Sequence, residues 1–97
     1  MIERIVKMTF KPENTEIFEK IFYEVKTKIA SFEGCKSVKL LKDVNNKNIY
    51  FTLSIWENEK ALDNYRNSQL FNKTWEKTKI LFSEKPQAWS LSEINIV

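Results

Sequence analysis

Within the run Ile49 to Trp56, the alternate residues Tyr50, Thr52, Ser54 and Trp56 put aromatic rings at the ends and hydroxyls in the middle. That mixture suits an organic ligand, which needs apolar walls and a few oriented polar groups. Phe71 and Trp75, four residues apart on a downstream helical stretch, are candidates for the facing wall, although aromatics at that spacing serve first as packing residues. These six residues form the candidate substrate cleft, and none of them is an evident catalytic base. Tyr23 and Tyr65 offer phenols, but a phenol with an ordinary pKa of about 10 is a poor base at neutral pH, and neither takes a role here. Cys35 has no imidazole to activate it and reads as a buried structural thiol. Glu13, Glu16 and Glu57 fall where the starts of helices favour negative charge.

The chain of 97 residues has no His, one Cys and one Gly. Without His there is no imidazole base, no Ser-His-Asp or Cys-His pair and no His-ligated zinc or haem. One thiol cannot make an internal disulfide or a multi-thiolate metal site, and one Gly cannot build a phosphate-binding loop. The chemistry of the site must therefore rest on other groups.

The elements that position the candidate residues follow from hydrophobic periodicity. Residues 2 to 10 alternate as a strand. From Thr15 to Phe32 the residues Ile17, Phe18, Ile21, Phe22, Val25, Ile29 and Phe32 recur at helical spacing, with Asn14 or Thr15 as N-cap and Gly34 as the C′ residue. Cys35 to Asp43 and Ile49 to Trp56 make a hairpin across the polar turn 44 to 48. Asn58 caps a helix to about Asn67, Ser68 caps a second to about Ser83, and Gln87 to Ile96 is a last strand after Pro86. The order βαββ(αα)β, in one domain spanning residues 1 to 97, is the split βαβ arrangement of ferredoxin-like folds, an α+β architecture with a four-stranded antiparallel sheet and helices on one face.

The third strand has no side meant for water, since Ile49, Phe51, Leu53 and Ile55 occupy the side opposite the mixed one. Helices cover one face only, so the other is expected to bury itself against a second copy in a homodimer. The net charge of +3 is spread over 14 Lys and 2 Arg. That Lys bias is unlike a nucleic-acid footprint, for which Arg is favoured, and the segment 47–54 lacks the glycine and spaced aromatics of an RNA-recognition strand. No apolar run approaches the roughly 18 residues that cross a bilayer, and the charged N-terminal stretch is unlike a signal peptide. The expected partners are thus a second copy and a small hydrophobic or aromatic ligand, without nucleic acid or membrane, in the cytoplasm, where a lone Cys35 stays reduced.

Phe32-Glu33-Gly34-Cys35 entering a strand, Ser54-Ile55-Trp56-Glu57-Asn58-Glu59 closing another and Tyr65-Arg66-Asn67-Ser68-Gln69-Leu70-Phe71 opening the last helix resemble the antibiotic biosynthesis monooxygenase family of dimeric α+β barrels. The resemblance covers nearly the whole chain. It implies a subunit whose sheet packs on its partner's sheet, with a cleft between sheet and helices. It also implies oxidation of phenols or quinols by molecular oxygen without metal or flavin, the substrate anion itself reducing oxygen. In some such enzymes an Asn four residues before the strand-end Trp and a Tyr six residues after it contact substrate. Here Trp56 is kept, and those two positions hold Thr52 and Leu62. Haem-degrading relatives use a His ligand that this chain lacks. Two functions follow: a cofactor-independent monooxygenase acting on a small aromatic or quinol, or a non-catalytic dimeric module that binds a small ligand or serves as an interaction domain.

Overall fold

The computed structural model describes residues 1–95. Strands β1 (Ile2–Thr9), β2 (Cys35–Lys42), β3 (Ile49–Trp56) and β4 (Gln87–Leu91) form one sheet in the order β2-β3-β1-β4, with every neighbouring pair antiparallel. Helices α1 (Thr15–Ala30), α2 (Glu59–Arg66) and α3 (Gln69–Lys79) complete an α+β, ferredoxin-like fold. The β1–β3 register sets Ile2 opposite Trp56, Arg4 opposite Ser54, Val6 opposite Thr52 and Met8 opposite Tyr50. A period of two keeps those eight residues on one face. That is the covered face, where Met8, Tyr50 and Trp56 join Phe18, Phe22 and Ile29 of α1 and Leu62 of α2 in the core. The opposite face carries Ile5, Phe51, Leu53 and Ile55, flanked by Leu41, Trp89 and Leu91, the last three exposed.

Several boundaries differ from the sequence reading. The first strand ends at Thr9, and Phe10 makes an isolated bridge to Phe82. The first helix stops at Ala30 rather than Phe32, and Ile17 is exposed although the spacing put it on the buried stripe. A 3-10 turn over Pro12–Asn14 precedes it. Neither Asn14 nor Thr15 caps by accepting a backbone N–H: the Asn14 amide donates to the Leu81 carbonyl at 3.2 Å and the Thr15 hydroxyl to the Pro12 carbonyl at 3.2 Å. Gly34 is not the C′ residue. It occupies a separate turn closed by the Cys35 N–H donating to the Phe32 carbonyl at 2.9 Å, where its φ of 85° is a conformation that Gly adopts without strain.

Asn58 and Ser68 do cap their helices, accepting from the N–H groups of Ala61 at 2.9 Å and Phe71 at 3.1 Å. Glu13 and Glu16 stand in the first turns of the 3-10 turn and α1, whereas the acidic residue in the first turn of α2 is Glu59, not Glu57. The last helix ends at Lys79, four residues early, because the chain must turn back for Ser83 to donate its N–H to the Thr9 carbonyl. The final strand ends at Leu91, and Ile96 of its expected span lies outside the described residues. Among the described residues no helix is long and apolar enough to cross a membrane.

Candidate active site

Between the covered sheet face and the helices lies a cavity of about 330 Å³, at the small end of the range for pockets that take one organic molecule. β1 contributes Arg4, Val6 and Met8 to its wall, and β3 contributes Thr52 and Ser54. α1 closes one side with Phe18, Phe22 and Val25, while α2 and α3 supply Leu62, Tyr65, Phe71 and Trp75. The aromatic rings form a continuous chain. Tyr65 meets Phe71 edge-on at 5.3 Å, Phe71 stacks on Trp75 at 5.8 Å and 10°, and Trp75 meets Phe82 at 5.5 Å.

Of the six residues singled out from the sequence, Thr52, Ser54, Phe71 and Trp75 line this cavity, and Tyr50 and Trp56 stand behind it. Trp56 is fully buried, stacks on Tyr65 at 4.9 Å and 26°, and donates its indole N–H to the Ser54 Oγ at 2.9 Å. Its geometry orients two lining residues instead of presenting a ring to a ligand. Accepting that bond leaves the Ser54 hydroxyl proton free to donate. Tyr50 is equally buried, packs edge-on against Phe10 and Phe18, and donates its phenol proton to the Glu19 carboxylate. Burial and that bond push the Tyr50 pKa up, while the Tyr50 hydroxyl and then Lys42, whose Nζ is 3.2 Å from the carboxylate, pull the Glu19 pKa down. The trio ties α1 to the hairpin. Cys35, expected to be buried, is only partly so and lies outside the cavity lining, and burial raises its pKa.

Three lining residues of chemical interest escaped the sequence reading. Tyr65 was passed over as a weak base. Burial, with a smaller contribution from Cys35, pushes its pKa up to about 12, so at neutral pH it is a fixed donor and not a base. Arg4 and Arg66 entered the sequence reading only through the net charge, yet both line the cavity. Arg4 could have been noticed, since it falls in phase with Ile2, Val6 and Met8 on the apolar side of β1. Among the described residues no His, Cys, Asp, Glu or Lys lines the cavity. The site can therefore donate hydrogen bonds to a developing negative charge but has no side chain suited to accept a proton.

The sequence matches the antibiotic biosynthesis monooxygenase family over residues 1–77. No curated relative matches it. Among solved structures, one described as an antibiotic biosynthesis monooxygenase superposes with a TM-score of 0.92 at 17% identity, covering 98% of this chain and 100% of that one. A conserved protein from Methanosarcina mazei Go1 gives 0.92 at 19% identity, covering 96% and 92%. A Mycobacterium tuberculosis protein gives 0.89 at 15% identity, covering 98% and 96%. At these identities the likeness is one of fold.

Proposed function

Because the chain belongs to the antibiotic biosynthesis monooxygenase family, we propose that it is a cofactor-independent monooxygenase that oxidises a small aromatic or quinol-type substrate in this cavity. The observation that carries this reading is the composition of the lining, which has aromatic walls, the hydroxyl-bearing Thr52, Ser54 and Tyr65, and no base. Such a site favours an ionised phenol, because hydrogen bonds to the charged form lower its pKa. Thr52, Ser54 and Tyr65 supply those donors, and the departing proton passes to water. The phenolate gives one electron to dioxygen, and the resulting pair recombines with a new C–O bond. Cleavage of the O–O bond then leaves one oxygen as a carbonyl and the other as water. Per turnover one phenol and one O₂ give one quinone and one H₂O, the substrate's O–H and C–H hydrogens ending in the water. A reducing cytoplasm suits this assignment, since the chain carries a lone thiol and no disulfide.

The working unit in this proposal is a homodimer, formed by burying the open sheet face of Ile5, Phe51, Leu53 and Ile55 against its equivalent. The support is the run of apolar side chains on that face, which continues to the exposed Leu41, Trp89 and Leu91.

Oxygen uptake with a panel of hydroquinones and anthrols tests the chemistry. Thr52→Ala removes a donor, and Trp56→Phe removes the N–H that holds Ser54, so each should slow turnover about tenfold or more. One observation favours the second reading, a module that binds without turnover: Leu62 adds an apolar side chain to the lining at the position where the family resemblance implies a substrate-contacting Tyr in some members. Ligand binding without oxygen uptake across the panel would select that reading.

A further inference from the structure

Only two of the sixteen basic residues are arginines, and both line the cavity, whereas none of the fourteen lysines does. Arg4 reaches it from the covered face of the sheet, where alternation otherwise supplies Ile2, Val6 and Met8. Arg66 reaches it from the last residue of α2, beside Tyr65, and is exposed to solvent. One guanidinium N–H of Arg4 donates to the Ser90 Oγ at 2.9 Å, which fixes the side chain and leaves most of its five donors free. The one ion pair among the described residues joins Lys42 and Glu19, so neither arginine has a carboxylate within 4.0 Å among them. Burial and then the charge of Arg66 lower the Arg4 pKa, the response of a cation held near a like charge without a counterion. An anionic ligand group would relieve that repulsion, and the planar fork of a guanidinium matches a carboxylate through two parallel hydrogen bonds.

We infer that Arg4 and Arg66 form an anion-binding end of the cavity and that its ligand is an aromatic carboxylate, its ring against Phe71 and Trp75 and its carboxylate at the two guanidiniums. The inference rests on reading the cavity as the substrate site. With the chemistry proposed above, it makes the substrate a hydroxylated aromatic acid instead of a neutral quinol. The carboxylate holds the ring in place, and a separate hydroxyl faces Thr52, Ser54 and Tyr65.

Calorimetric titration with 2-naphthoate and its neutral isostere 2-naphthamide tests the inference. The wild type should bind the acid at least tenfold more tightly than the amide, and raising the salt concentration should narrow the gap. Arg66→Gln and Arg4→Gln should each remove most of the preference, and Arg66→Lys should restore only part of it. Arg66 is exposed at a helix end, so its variants carry the test should Arg4→Gln fail to fold. Equal binding of acid and amide, a preference that survives Arg66→Gln, or no binding of either compound overturns the inference. Oxygen uptake with uncharged quinols, measured on the same protein, reports on the oxidation chemistry separately and can succeed where the carboxylate preference fails.

Discussion

Tyr65 connects stability to chemistry at the level of a single side chain. Its pKa of about 12 lies above the ordinary phenol value of 10.0, so the folded protein holds the proton more tightly than the unfolded chain does. The stabilisation is complete below about pH 10 and is lost as the pH rises towards 12, amounting to about 2–3 kcal/mol at most. Tyr65→Phe should therefore unfold less steeply with pH than the wild type over that window, as read by urea midpoints at each pH. At neutral pH the same variant should slow turnover about tenfold or more through loss of a hydrogen-bond donor to the substrate anion. The hydroxyls of Thr52 and Ser54 were legible in the sequence because a strand's period of two states which side chains share a face. The place of Trp56 was not legible. The same period puts it on the right face, but only three-dimensional packing shows that Tyr65 comes between its ring and the cavity.

Local signals fixed most of the elements. Asn58 and Ser68 announced their helices because a short polar side chain that accepts from the first turn is a local feature of the chain. Asp43, placed by the sequence at the end of the second strand, instead belongs to the hairpin turn after Lys42, its carboxylate accepting from the N–H groups of Asn45 and Asn46 at 2.7 and 2.9 Å. The ends set by distant contacts were misjudged. α3 stops at Lys79 because the chain after it bonds to β1, a pairing across more than seventy residues that no local pattern reports. Gly34 is the sharpest case. Its turn brings the chain so close to α2 that a Cβ there would lie 2.4 Å from the Ala61 Cβ, in a conformation already unfavourable to other residues. Gly34→Ala should cost about 2–4 kcal/mol, seen as a lower denaturation midpoint with an unchanged slope.

The sheet carries apolar side chains on both faces, interspersed on the open one with Glu3, Lys7 and Lys39, and the three helices cover only the other. Association of the open faces would make the working unit twice 11.6 kDa. Leu53 lies on the open side of the central strand β3, between Ile5 and Lys39. Leu53→Lys should give a monomer by light scattering under conditions where the wild type is a dimer, because a buried charge without a partner is costly. The central claim concerns chemistry in the cavity, and it is tested most directly by turnover under ¹⁸O₂ after treatment with a chelator, with mass analysis of the product. Cofactor-independent monooxygenation predicts one labelled oxygen in the quinone and the other in water, at one O₂ per turnover. Binding across a broad panel of phenols and quinols without oxygen uptake, or turnover that stops once metal is removed, would contradict it.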